Sequence, residues 1–307
     1  MKRAFTLLEL IIVIVILGII AMMSFNAIMN IYSNYFQTRT VNELETQTEI
    51  ALEQISKRLE HRIKPSVIAR KPSGGFLPLN DSRVNLNSGY EILEFIPYAY
   101  EIFNDVPSAS NKAGRYSGYA DLANSSPATG LISPGSNFTT EVIETIKDLT
   151  CKDDASGCVD FENKDGGVVA IFSDVYYDVQ NSFGYKDNLN LDIAKVGVKS
   201  TDGDTLEISG FANKQISEQY HLAYTANAIV PEQSADPKDA ANGVFDLNLY
   251  YDYRPWMGQG YKNGEKATLA KNVTRFVFIE KNGVIVLKLC MRAKNSEITI
   301  CKSKAVY

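Results

Sequence analysis

Two histidines in 307 residues, His61 and His221, leave little for acid–base or metal chemistry. The chain has no G-x-S-x-G turn, no H-E-x-x-H helix, no P-loop and no dinucleotide-binding glycine fingerprint. Carboxylates are plentiful, but without a fixed spacing they read as solvated surface. The reading is therefore not an enzyme, with no cofactor and no metal site assigned. Basic charge is also in short supply. With 31 Lys and Arg against 36 Asp and Glu the net charge is -5, which excludes a global attraction to nucleic acid or anionic lipid. One local set, Lys288, Arg292, Lys294, Lys302 and Lys304, could contact nucleic acid, but lysines that guard a sheet edge explain it at least as well. Nucleic acid is thus conceivable as a partner and otherwise unsupported.

Cysteine is sparse too. The four fall as two close pairs, Cys151 with Cys158 and Cys290 with Cys301, and no C-x-x-C spacing suggests zinc or a redox motif. Local disulfides in an oxidising compartment and reduced, buried thiols in a cytosolic chain both fit these pairs. Mean hydropathy of -0.14 is too polar for a multi-span membrane protein, so most of the chain should fold in water. Its length suits one large domain with an appendage, or two small ones.

The N-terminus is where the information concentrates. After Lys2 and Arg3 the chain is almost wholly apolar from Phe5 to Met29, long enough to cross a bilayer as a helix. The positive-inside rule places Lys2 and Arg3 in the cytoplasm and all that follows the span outside, where disulfides form. A cleaved secretory signal would need a small-residue site after the apolar run, and none follows at 21–27. An uncleaved signal anchor accounts for everything except Glu9. Ionisable groups within a membrane segment are costly and functional by default, although one so near the end can snorkel.

Lys-Arg-Ala followed by Phe-Thr-Leu-Leu-Glu-Leu-Ile resembles the type IV prepilin motif shared by pilins and type II secretion pseudopilins. The resemblance covers residues 1 to about 30. It implies cleavage between Ala4 and Phe5 by a prepilin peptidase on the cytoplasmic side, N-methylation of Phe5, and assembly with other pilin or pseudopilin subunits through an inner-membrane platform. Ala4 stands where most of the family has glycine, which keeps a small residue there but puts the rate of processing in doubt. Many pilins carry a proline midway along the membrane half. Here none precedes Pro65, and only Gly18, Ser24 and Asn26 could loosen the helix.

Cleavage would expose an α-amine on Phe5, cationic at neutral pH, one helical turn from Glu9. In a filament core, Glu9 meeting the Phe5 amine of a neighbouring subunit would set the axial register. Apolar contacts alone cannot set it, because lipid solvates leucine and isoleucine as well as a neighbouring helix does. Self-pairing within one chain, aided by the helix dipole, is the alternative.

Past the membrane half, Val41, Leu44, Thr48, Leu52, Ile55, Leu59 and Ile63 recur every three or four residues, with glutamates and lysines on the other faces. Pro65 bars continuation beyond Lys64. The expected organisation is a leader at 1–4, a membrane and filament-core helix at 5–29, its amphipathic continuation at 30–64, and a periplasmic globular part at 65–307. The expected class is α+β, a long helix packed on an antiparallel sheet. Residues 66–137 read as loop around one strand at 90–96, and 140–149 as a short helix. Strands are expected at 168–172, 205–211, 221–230, 245–253, 273–280, 284–292 and 298–302, joined as a meander with a turn at Asn282-Gly283. In the last hairpin, Cys290 opposite Cys301 puts Met291 against Ile300 on one face and Arg292 against Thr299 on the other. The acidic loop from Cys151 to Asp165 invites calcium, but its spacing does not match an EF-hand. The stretch 247–285, with tyrosines, a Trp256 loop and Asn272-Val273-x-x-Phe276-x-Phe278, looks like the C-terminal sheet of larger minor pilins.

These readings leave three functions open. They are a structural, minor subunit of a pilus, secretion or competence machine; a tip-exposed binding subunit for adhesion or DNA uptake; and a plain membrane-anchored periplasmic protein.

Overall fold

The computed structural model describes residues 7–85, 88–103, 116–138, 141–152, 157–186, 191–199, 203–211, 215–294 and 296–307. Its elements in chain order are α1 (Leu7–Glu60), β1 (Ile68–Arg70), β2 (Phe76–Pro78), β3 (Ile92–Phe95), β4 (Leu131–Ile132), α2 (Glu141–Thr150), β5 (Val169–Phe172), β6 (Ala194–Val198) and β7 (Thr205–Ser209). There follow β8 (Tyr220–Ala223), β9 (Ala226–Gln233), α3 (Pro237–Ala241), β10 (Phe245–Tyr253), β11 (Glu265–Lys281), β12 (Val284–Arg292) and β13 (Thr299–Val306). The class is α+β.

Two antiparallel sheets form. The larger has eight strands in the order β13-β12-β11-β10-β9-β3-β1-β2, and the smaller has five in the order β4-β7-β6-β5-β8. One face of the large sheet takes the apolar stripe of α1: Leu44, Leu52, Ile55 and Leu59 pack with Phe276, Phe278, Leu287, Leu289 and Met291. The other face joins the small sheet through Ile68, Ile92 and Ala228 against Val169 and Ile171. The alternate residues of β5, Ala170 and Phe172, face α2 through Val142 and Ile146. The order of layers is therefore helix, sheet, sheet, helix, and β3 and β5 are buried on both faces.

The sequence reads α1 on to Lys64, but the helix ends at Glu60. Tertiary pairing takes the next residues: Ile63 N–H donates to the Ile96 carbonyl at 2.8 Å and Tyr98 N–H to that of His61 at 2.9 Å. The residue before Pro65 is also disfavoured in helical conformation. Arg62, buried beside this exit, donates to the carbonyls of Leu59 (2.8 Å), Tyr307 (3.1 Å) and Gly283 (3.2 Å), tying the helix end to the β11–β12 turn and the last residue.

The 221–230 strand is corrected to two. β8 belongs to the small sheet and β9 to the large one, and the chain changes sheets at Tyr224-Thr225. β1 and β2 fall in the stretch that reads as loop, and β6 in a stretch the sequence reading leaves unassigned; the first two are three residues long and β6 carries Gly197, so none shows a clear alternating pattern. β11 starts at Glu265 rather than Val273, its pairing with β10 broken by bulges near Asn272, which has a φ of 58°. Asn282 and Gly283 both take positive φ in the β11–β12 turn, which suits a two-residue hairpin of this composition. The final hairpin has the register read from the sequence, with Cys290 opposite Cys301, Met291 opposite Ile300 and Arg292 opposite Thr299.

Leu52 and Ile55 fill the seam between α1 and the sheet and are at most 2% exposed. Truncating either to alanine should cost about 2–5 kcal/mol through lost contact and cavity formation. Ile50→Ala, on the exposed side of the same helix, should stay within about 0.5 kcal/mol. Urea unfolding of the detergent-solubilised chain measures all three.

Candidate functional site

α1 lies in two environments. Residues 7–39 are all exposed, whereas Leu44, Thr48, Ala51, Leu52, Ile55, Ser56 and Leu59 are buried on the sheet. At about 1.5 Å per residue the exposed part extends roughly 50 Å. Its most apolar window has a mean hydropathy of 2.9, long and apolar enough to cross a membrane. Among the described residues nothing buries this surface, so water is not its natural solvent. Glu9 lies in the first turn, where the positive end of the helix dipole favours a carboxylate. Lys2, Arg3, Ala4 and Phe5 lie outside the described residues.

The seated half is locked by charge as well as by apolar contact. Lys302 on β13 reaches Glu49 at 2.6 Å and Glu45 at 3.2 Å, and Lys304 pairs with Glu53. Both lysines stand opposite Leu289 and Leu287 on the face that carries α1, so the edge strand clasps the helix from its flank. The Lys304 ammonium holds the Glu53 carboxyl below its usual range, and Glu49 raises Lys302. The basic set read from the sequence is thereby dispersed. Lys302 and Lys304 serve the helix, Arg292 pairs with Asp239 at 3.2 Å, and Lys288 alternates to the opposite face.

Both cysteine pairs are joined as disulfides, with Cα atoms 4.1 Å apart for Cys151–Cys158 and 4.0 Å for Cys290–Cys301. The second bridges β12 and β13 beside the lysine clasp. Near the first, Arg254 donates to the Gly157 carbonyl at 3.3 Å and pairs with Asp252 at 2.6 Å, linking the disulfide loop to β10. Of the acidic residues in that loop, Asp153 and Asp154 lie outside the described residues. Among the described residues no group of three His, Cys, Asp or Glu could hold a metal.

Residues 1–25 match the family model of the prokaryotic N-terminal methylation motif. The chain carries a type IV prepilin N-terminus. With the long apolar helix behind it, the motif supports membership of the type IV pilin and pseudopilin family, as a processed, membrane-anchored subunit. No curated protein and no solved structure matches the chain.

A second polar site sits in the body of this prepilin-like chain, and the sequence reading passed over it. Glu94 on β3 is 1% exposed and takes Arg70 Nε at 2.7 Å and the Tyr253 hydroxyl at 2.9 Å. Burial pushes its carboxyl above the usual range, with Arg70 and Tyr253 opposing the rise. A signal was present: on a 90–96 strand, Ile92, Glu94 and Ile96 share one face, and an acid in an apolar row requires a cation. The tyrosines read as sheet packing behave as such at Tyr253, while the Trp256 indole donates to the Gly167 carbonyl at 3.0 Å from a fully buried position.

The two histidines are not brought together into a reactive pair. His61 stacks on Tyr100 and shares a hydrogen bond with the Tyr98 hydroxyl, and His221 stacks on the Tyr98 ring. Burial lowers the His221 pKa below 6.5, and its Nδ1 has no hydrogen-bond partner among the described residues. Folding therefore favours neutral His221. Its contribution is complete above pH 6.5 and is lost as the pH falls from there through the lowered folded value. We expect the urea midpoint to drop on acidification below pH 6.5, and His221→Phe to remove that part of the drop.

Proposed function

We propose that this chain is a structural, minor subunit of a type IV pilus or type II secretion pseudopilus. The observation that carries the proposal is a single helix, α1, divided between an exposed apolar rod with Glu9 in its first turn and a half seated on a sheet, behind a prepilin motif. Such a rod needs lipid first and like helices afterwards, and transfer between the two involves little change in apolar contact. Proteins with this motif serve as structural subunits rather than enzymes, and the large soluble part suits a minor one.

On this reading Lys2 and Arg3 keep the leader in the cytoplasm, and the globular part lies in the periplasm of a bacterial cell. Prepilin peptidase cuts between Ala4 and Phe5, and Phe5 is methylated. Glu9 then meets the Phe5 amine of the adjoining subunit and fixes the axial offset that apolar contacts leave undetermined. The disulfides agree with an oxidising compartment.

Coexpression with a prepilin peptidase, followed by N-terminal sequencing, should show loss of the first four residues and a methylated Phe5. An intact Met1 in membranes with active peptidase would leave only a plain anchor. Glu9→Leu should still be cleaved and still insert, yet drop out of sheared filaments. Undiminished incorporation of that variant would remove Glu9 from the assembly step.

A further inference from the structure

Directly over the Arg70–Glu94 pair lies a cavity of about 320 Å³, bounded by β1, β3 and the loop 255–263. It opens on the side of the large sheet away from α1, because Ile68, Arg70, Ile92 and Glu94 alternate with the α1-facing Ala69 and Leu93. A buried pair is weak support for a fold, and apolar residues of similar volume often serve as well.

The chemistry of the wall is one-sided. Both Glu94 oxygens are engaged, one by Arg70 and the other by Tyr253. Gln259 Oε1 accepts from Arg254 N–H at 2.8 Å, and Asn263 Oδ1 accepts from Gly260 N–H at 2.9 Å. With these acceptors occupied, the side chains offer mainly donors: the Arg70 guanidinium, Lys186, Lys262 and the amide nitrogens of Gln259 and Asn263. Three cations face one carboxylate that is already paired. Nearby Glu232 is held by Lys266 and Tyr250. Half-buried Tyr261, braced edge-on by Tyr250 at 5.4 Å, adds a flat aromatic wall.

We infer that this cleft binds a uronic acid, its carboxylate on Arg70 and Lys262 and its ring against Tyr261. The planar guanidinium fork suits a carboxylate; Glu94 holds its Nε edge and the Tyr185 carbonyl accepts from Nη2 at 3.4 Å, which leaves the remaining N–H groups for the ligand. The volume lies at the small end for ligand pockets and admits one sugar ring rather than an oligomer along its length. The site does not depend on how α1 is used, and would give the subunit something to display.

The test titrates the full-length chain in detergent micelles with glucuronate and galacturonate, by calorimetry, against glucose and inorganic phosphate. Saturable binding of a uronate, with glucose inert and phosphate weaker, is expected. Tyr261→Ala and Lys262→Ala, which leave the buried pair alone, should each weaken it about tenfold, the Lys262 variant with the unfolding midpoint unchanged. Glu94→Gln should tighten it, since the one negative charge beneath the ligand is removed while Arg70 keeps its own. No saturation, phosphate binding as tightly as uronate, unchanged affinity in Tyr261→Ala, or a folded Glu94→Gln that binds more weakly would each overturn the assignment.

Discussion

The fold depends on the seating of one helix. Between Leu44 and Leu59, α1 gives an apolar stripe to the large sheet, and that contact decides where the exposed half points. The stripe is uncharged and non-directional, so by itself it would tolerate sliding. Lys302 and Lys304 on β13, spaced two residues apart on one face, meet Glu45, Glu49 and Glu53, spaced four apart along one side of the helix. Matching the strand period to the helix period in this way allows a single axial alignment. The Cys290–Cys301 link holds β13, the edge strand, to its neighbour at the same place. Arg62 completes the lock at the far end by gathering three carbonyls from α1, the β11–β12 turn and the last residue.

Legibility in the sequence followed the range of the interaction. The helix stripe was readable because its period is local and seven of its positions, Val41 to Ile63, repeat in register. The β12–β13 hairpin was readable because two independent constraints, a cysteine pair and the alternation of Met291 with Arg292, agree on one pairing. The end of α1 was misplaced because the pairing of Ile63 with Ile96 is set by tertiary contacts and overrides helix propensity. The change of sheet at Tyr224-Thr225 was hidden because both flanking strands are buried and apolar. Leu222, Ala223, Ala226 and Ala228 read as one run although they serve two sheets. The Arg70–Glu94 pair joins residues on different strands, so only the acid, and not its partner, left a mark in the local pattern.

The basic residues near the chain end show how charge read without geometry misleads. Five cations in a short stretch resemble a surface for a polyanion. In the structure the strand period sends alternate ones to opposite faces, and those on the helix side are already neutralised by glutamates of α1. What remains on the outer face is too thin to release many counterions, and a field that attracts nucleic acid needs several adjacent charges. The same residues do more for the fold than they could for a ligand.

The two faces of the large sheet divide the work. One seats α1 over β11, β12 and β13, and that burial fixes the direction of the rod; the other meets the small sheet and encloses Glu94 and Arg70. Because successive strand residues point to opposite faces, Ala69 and Leu93 can join the core on the helix side while Arg70 and Glu94, each one position further on, build a polar site on the other. Polarity on the second face therefore does not weaken the apolar seam on the first. The far face can thus carry different chemistry without disturbing the helix seat, since the strands connect the two positionally and the side chains keep them chemically apart.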